Sequence, residues 1–400
     1  MIVLRNTTSQ HSIEYIVSFI VFLIMPIIGI LMSLLLIINS KANKSKYYYF
    51  AFLIALYLSG INGTKIFASD QIGYAEMYNL VPKYSIFEAL LYLKPSYDLD
   101  SYSDPAFKLY CYIAYYITFG NEYLYFSFTS FIIYSVLFAS LIKFFTRFRN
   151  DSATIVCSII VAAFFFQLFN QTAHAIRQIL AGSIIIYAIS SKAVNGKNHW
   201  FFLLIPVLIH ISSLFFLFLS LLPYKLYFNK RFFLLFVLFI IICTFSMANL
   251  STSLLGIFNG AQVSYVTEEK NDWEGLSVSI IILFILPMLI ILLINFYKRD
   301  LEKGQRFFLS ISFYLLAFIL SCYKNTIIQI RFMYYLYEII PFVLPIAFRV
   351  KSPYHKIYCS SLSILVVIYF YFSFSTCIWK YADVIELLFY PYPALLFYHV

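Results

Sequence analysis

Long apolar runs broken by short basic clusters set the period of this chain. A helix needs about 20 apolar residues to cross the hydrocarbon layer of a bilayer. By that measure the runs at 14–39, 47–62, 122–142, 152–169, 174–191, 232–250, 277–297, 307–323, 328–348 and 357–379 predict membrane helices. Two further apolar stretches fit less well. The run at 105–119 is short and carries Asp104 and Lys108 near its start, and the run at 200–222 holds Pro206 and His210. The fold class expected is all-α: a polytopic integral membrane protein of about 10–12 transmembrane helices, with re-entrant or interfacial helices, and a single transmembrane domain over 1–400.

Basic residues fix the expected sides, because Lys and Arg concentrate in cytoplasmic loops. Lys41, Lys44 and Lys46 follow the first run; Lys143, Arg147 and Arg149, then Lys192 and Lys197, then Lys225, Lys230 and Arg231 follow others. Lys298, Arg299, Lys303 and Arg306, and finally Arg349, Lys351 and Lys356, complete the series. If all are cytoplasmic, parity requires that 105–119 and 198–224 each fail to cross. The first is then a re-entrant or interfacial helix, and the second two half-helices broken near Pro206 and His210. One ordinary span with one exception to the charge rule accounts for the second equally. Both termini become external, as do the loops 63–104 and 251–276, the latter with Glu268, Glu269, Asp272 and Glu274. No basic leader with a small-residue cleavage site precedes the first run, which is therefore expected to be a retained span.

Composition supports lipid as the solvent. Hydrophobic residues make up 62% of the 400 residues and charged residues 12%, with a mean hydropathy of +0.85. A soluble domain carries about twice that charge. A soluble enzyme, a disordered chain and a nucleic-acid binder are excluded, and the net charge of +10 belongs to the cytoplasmic loops. The cysteines (Cys111, Cys157, Cys243, Cys322, Cys359, Cys377) lie scattered, with no CxxC and no Cys/His cluster, so neither a disulfide framework nor a zinc site is expected. Gly-rich phosphate loops, GxSxG and HExxH are missing too, which disfavours nucleotide hydrolysis and serine or zinc hydrolase chemistry.

Within this apolar background a few polar residues stand out. His174 and Arg177, in His174-Ala-Ile-Arg177-Gln178, fall near the external end of a helix and on one face of it. An arginine at a helix centre costs roughly 2.5–3.5 kcal/mol to insert, so it has a partner, a task, or snorkels to the interface. Its planar fork suits phosphate. Arg331 repeats the situation, with Tyr335 and Glu338 four and seven residues on along the same face. Glu338 would neutralise Arg331, or the two arginines would cradle a diphosphate. His210 either bonds a neighbouring helix or serves proton transfer or orientation of a sugar hydroxyl. The 63–104 loop holds Lys65, Asp70, Tyr74, Tyr78, Glu88, Asp98, Asp100 and Asp104; a carboxylate among them could take a proton from a hydroxyl, though most loop acids are merely solvated. Asp98-Leu-Asp100 has the spacing of a metal-assisted sugar-nucleotide site, and Gly256xxxGly260 that of a close helix contact; both patterns are short enough to arise by chance.

Taken in order, Lys65…Ser69-Asp70…Tyr74…Tyr78, Asp104-Pro105-Ala-Phe107, Ile176-Arg177-Gln178…Ala181, His210-Ile-Ser212 and Ile330-Arg331…Tyr334 resemble the EpsG family of polysaccharide-assembly membrane proteins, itself similar to the Wzy O-antigen polymerases. The resemblance covers about residues 60–340. Lys65 and Ala68-Ser69 stand where family members typically carry an Arg and a Gly-Thr. It implies a GT-C-like, metal-independent glycosyltransferase without cofactor, multi-pass in the bacterial inner membrane and facing the periplasm. Donor and acceptor would be undecaprenyl-diphosphate-linked glycans, with membrane lipid around them, a chain-length regulator protein as partner and no nucleic acid. It further implies Asp70, Asp104 and His210 as catalytic, Arg177 and Arg331 as diphosphate-binding, and Lys65, Tyr74, His174, Gln178, Ser212, Tyr334 and Tyr335 as supporting, with no metal ligand. A flippase for the same lipid-linked sugars and a membrane acyltransferase are the rival functions.

Overall fold

The structure, a computed structural model, describes residues 2–39, 43–67, 70–95, 104–148, 151–221, 301–321, 326–347, 354–377 and 388–396, besides four isolated positions between 238 and 293. The expected spans 232–250 and 277–297, the loop 251–276, Gly256xxxGly260, Asp98 and Asp100 fall outside the described residues.

Every regular element among the described residues is helical. The chain divides into two compact units. One comprises Met1–Asn79, Ile113–Ile176 and Lys356–Val400; the other comprises Leu80–Tyr112 and Arg177–His355.

The first unit opens with α1 (Ile2–Ile24) and α2 (Pro26–Ile38). The run 14–39 is therefore not one span. Met25 is extended, Pro26 begins a new helix where its missing N–H costs nothing, and the chain folds back so that Ser18 Oγ donates to the Gly29 carbonyl at 3.0 Å. Next come α3 (Lys44–Gly63), capped by Asn43, and α4 (Asp70–Leu80). Within the expected external loop 63–104, residues 70–92 are largely helical, with a 3-10 turn at Val81–Lys83 and α5 (Ile86–Tyr92) behind a Ser85/Glu88 capping box. Of these, the 3-10 turn and α5 belong to the second unit.

After α6 (Pro105–Ile117) the first unit resumes with α7 (Glu122–Arg147), α8 (Ser152–Phe164) and α9 (Phe166–His174). Small and hydroxylated side chains let these helices approach, as they do where lipid gives no hydrophobic drive between helices. Asn62 donates to Ser130 Oγ at 2.9 Å and to Thr172 Oγ1 at 2.7 Å, joining α3, α7 and α9. A Cβ on Gly63 would stand 2.1 Å from Ser127 Oγ. The expected span 152–169 bends by 50° at Phe165, where α8 gives way to α9.

The second unit carries α10 (Ile176–Asn195), α11 (Trp200–Ile209), a 3-10 turn (Ile211–Ser213), α12 (Leu214–Leu221), α13 (Lys303–Ser321) and α14 (Thr326–Ala347). The stretch 198–224 is broken at His210, whose backbone is extended; Pro206 sits inside α11 without ending it. Two helices close the chain: α15 (Tyr354–Ser375) and α16 (Tyr392–Leu396).

Outward-facing apolar rows identify a membrane protein. Ile364, Leu365, Ile368 and Phe372 of α15 are each at least 60% exposed, and Ile13, Ile16, Ile20 and Ile24 of α1 each more than half. Such stripes are stable only against lipid or another apolar surface. Among the described residues three helices are long and apolar enough to cross a bilayer, namely Glu122–Arg147, Lys303–Leu320 and Tyr354–Ser375, or four if the bent pair α8–α9 is one span. The expected spans 232–250 and 277–297 lie outside this count, and within the described residues runs are broken at Met25, Phe165 and His210.

Candidate functional site

The second unit gathers the polar residues of α6, α10, the His210 break and α14. Asp104 precedes Pro105 and adopts φ +66, a left-handed conformation that Asp tolerates better than most residues. Its carbonyl accepts the first N–H bonds of α6, from Phe107 at 3.0 Å and Lys108 at 3.1 Å. Its carboxylate Oδ2 accepts from Arg177 Nη1 at 2.7 Å. Arg177 is the second residue of α10. A cation in the first turn opposes the helix dipole, so the Asp104 carboxylate offsets an unfavourable placement.

Gln178, the next residue, donates from Nε2 to the backbone carbonyl of Arg331 and so ties α10 to α14. Along α14 burial rises steeply: Arg331 is exposed, Tyr334 half-buried, Tyr335 1% exposed and Glu338 wholly buried. The side chain of Glu338 does not neutralise Arg331, which corrects one sequence expectation. Both its carboxyl oxygens lack a hydrogen-bond partner among the described residues and lie against Gly182, where a Cβ would come within 1.9 Å of Oε2. Seven residues of helical rise carry it about 10 Å along the axis from Arg331, into the packed interior.

His210 caps the 3-10 turn with its ring: Nδ1 accepts from Ser212 N–H at 3.3 Å and lies 2.6 Å from Ser212 Oγ. Tyr335 OH is 2.7 Å from Ser212 Oγ and 3.1 Å from Ser213 Oγ. Arg177 and Arg331 both act electrostatically on His210, and Asp104 acts on Tyr335. Asp104, Arg177, Gln178, His210, Ser212, Arg331 and Tyr335 thus form one constellation within one unit, bringing two guanidinium groups, one carboxylate and one imidazole together. Two cations near one imidazole can stabilise an anion that carries or gains charge.

Tyr334, half-buried on α14, belongs to the same unit, and the other candidates lie in the first unit. His174 ends α9 and Ala175 leaves helical geometry (φ −103°, ψ 48°), so His174 and Arg177 do not share a helix face as their spacing suggested. His174 Nε2 instead contacts Nζ of Lys65, which is wholly buried just beyond the end of α3. Burial pushes the Lys65 ammonium down to about 7, with Cys377 acting weakly in the opposite sense. Tyr74 is buried within α4, whereas Asp70 at its first position is exposed. Among the described residues no group of three or more His, Cys, Asp or Glu side chains has metal-site geometry.

One participant escaped the sequence argument: Ser213 completes the hydroxyl series, and its signal was the doubled serine after His210-Ile211. In the first unit, Gln71 is wholly buried with both ends of its amide unpartnered among the described residues, which a glutamine beside Asp70 in a polar segment does not signal.

Comparison with known proteins gave one match: the family model described as the EpsG family covers residues 45–393. No curated protein and no solved structure matched the chain.

Proposed function

The chain belongs to the EpsG family, and on that premise we propose that it is a membrane glycosyltransferase that polymerises lipid-linked oligosaccharide repeat units into O-antigen or a related surface polysaccharide. The donor is the growing glycan on undecaprenyl diphosphate, and the acceptor is the non-reducing end of one new lipid-linked unit. The acceptor hydroxyl oxygen bonds to the anomeric carbon, and the bond from that carbon to the diphosphate oxygen breaks with its electron pair. The hydroxyl proton passes to a carboxylate, for which Asp104 is the group placed in the constellation; Asp70 is a second candidate. The fold is GT-C-like, the reaction needs no metal, and the site faces the periplasm from the inner membrane, where a chain-length regulator is the expected protein partner.

One observation supports this reading: Arg177, anchored by Asp104, and Arg331, whose backbone carbonyl is bonded by Gln178, both act on the same imidazole. A departing diphosphate concentrates negative charge, and fixed cations stabilise it without reorganising. Rigid placement of donor and acceptor supplies much of the remaining acceleration. The test is deletion of the gene followed by analysis of the surface-glycan ladder. A single repeat unit on the carrier lipid or core is the expected product. Complete loss of surface glycan, with repeat units trapped inside, would indicate export and overturn the polymerase reading.

A further inference from the structure

The hydrogen-bond directions around His210 can be assigned one after another. A backbone N–H can only donate, so Nδ1 of His210, which accepts from Ser212 N–H at 3.3 Å, carries no proton. The ring is then the neutral tautomer with its hydrogen on Nε2. Ser212 Oγ, 2.6 Å from the same Nδ1, must turn its hydrogen toward that nitrogen. With this hydrogen used, Ser212 Oγ accepts from Tyr335 OH at 2.7 Å. The phenol oxygen in turn accepts from Ser213 Oγ at 3.1 Å. The result is one directed series, Ser213 to Tyr335 to Ser212 to His210. Tyr335 and Ser213 are 1% exposed, so water does not readily replace these partners.

We infer that His210 acts as a neutral hydrogen-bond donor through Nε2–H to the leaving diphosphate and not as the base that deprotonates the acceptor, and that Tyr335 is the positioning residue which, through Ser212, holds it in that tautomer. The inference rests on the polymerase reaction proposed above. An imidazole whose only lone pair is occupied by protein donors has none to offer a sugar hydroxyl. It has an N–H, and the group that gains from an N–H is an oxygen acquiring charge. Arg177 and Arg331, the two cations acting on the ring, are the residues already assigned to that diphosphate. In the step itself His210 keeps its proton. The proton of the attacking hydroxyl goes to the carboxylate, and the electron pair of the broken bond goes to the diphosphate.

The experiment uses membranes from a strain lacking the gene, which retain the natural lipid-linked repeat units. Each full-length variant is returned to that strain, and polymerisation rate, ladder length and protein level in the membrane are measured together. His210→Gln supplies an amide N–H but cannot take up a proton near neutrality. It should keep on the order of a tenth of the wild-type rate, while His210→Ala loses about 10²–10³-fold. Equal and complete loss in both, at normal protein level, assigns proton transfer to His210 and overturns the inference. Tyr335→Phe should slow the reaction about fivefold, the worth of one net hydrogen bond. Combined with His210→Gln it should add nothing further, since the phenol acts only through the ring. A multiplicative loss in the double variant overturns the positioning role. If Tyr335→Phe fails to accumulate, Ser212→Ala interrupts the same series and is read the same way. A deletion strain whose ladder is unchanged would instead remove the polymerase reading itself.

Discussion

Arg177 reaches across 73 residues of sequence to Asp104, its Nη1 donating to Oδ2 at 2.7 Å. The contact joins the first turn of α10 to the left-handed residue that starts α6, and neither side chain is more than 22% exposed. A guanidinium held in this way has its plane fixed before substrate arrives. Arg177→Ala should cost about 10²–10³ in rate, as loss of one preorganised donor does. A lysine restores charge but not the planar fork, so Arg177→Lys should keep only part of the activity. Asp104→Asn tests the carboxylate alone, because asparagine accepts the same left-handed backbone, and it too should stop the ladder at short products. Ladders and membrane protein levels measured together decide the matter: wild-type ladders from Arg177→Ala would take this residue out of the site, and loss of protein without loss of activity per molecule would make it structural.

Arg331 and Glu338 separate in the structure, and their variants should separate too. Arg331 is exposed, and its loss should abolish long polymer while the protein still accumulates. Glu338 bonds no N–H among the described residues, so Glu338→Gln breaks no hydrogen bond and should leave the ladder within a few-fold of wild type. Parallel loss of activity in both variants would mean that the pair acts as a unit after all.

The reaction should withstand removal of divalent metal. Two guanidinium groups in the constellation can neutralise a diphosphate without one. Polymerisation by purified protein in EDTA should proceed at the untreated rate. Loss in EDTA with recovery on adding magnesium or manganese would transfer the charge-neutralising role to a metal and bring the Asp98-Leu-Asp100 spacing back into the mechanism.

Helical character of the apolar runs among the described residues was legible, because a long apolar run crosses lipid as a helix, whereas the helices of 70–92 lie in a segment read as a loop. Helix starts went unread, although Asn43, Ser85, Asn121 and Asp151 all cap with their side chains. So did two breaks. Pro26 divides α1 from α2 inside a run read as one helix, and Phe164-Phe165-Phe166 offers neither glycine nor proline where α8 bends into α9. Arg177, His210 and Arg331 stood out as polar residues in apolar surroundings, and the structure brings them together. Their partners did not stand out, because Asp104 lies 73 residues from Arg177, and Tyr335 lies 123 from Ser212. Helical periodicity relates residues within a turn or two, and it assigned His174 and Glu338 to Arg177 and Arg331 on that basis. Tertiary packing gave them other neighbours.

Gly29 permits the fold-back of α1 on α2. A Cβ there would stand 2.4 Å from Cα and 2.6 Å from the backbone nitrogen of Phe22, and a backbone cannot swing aside as a side-chain tip can. Gly29→Ala should therefore destabilise the protein by about 1–3 kcal/mol through overpacking, seen as a lower melting temperature in detergent. Activity per folded molecule should hold, since this hairpin precedes the family-matched segment 45–393. An unchanged melting temperature would show that α1 and α2 do not meet there.

Lys65 makes stability depend on pH in a stated direction. Its ammonium ordinarily loses its proton near 10.5, but burial beyond the end of α3 brings the folded-state value down to about 7. Between those values the unfolded chain binds a proton that the folded chain does not, so stability rises with pH across that window. Below about 7 both states are protonated and the burial penalty is fully present; above about 10.5 neither is and it vanishes. The purified protein should therefore melt at progressively higher temperature from pH 7 upward, until other groups titrate. Lys65→Met keeps the volume of the stem and removes the charge, so its melting temperature should follow pH less steeply and exceed that of the wild type at pH 6. The contact with His174 is lost in the same variant, which reduces the gain without reversing the slope. A variant with the wild-type pH slope would show that Lys65 keeps its charge in the folded protein, and its contact with the imidazole would then need an anion beside it.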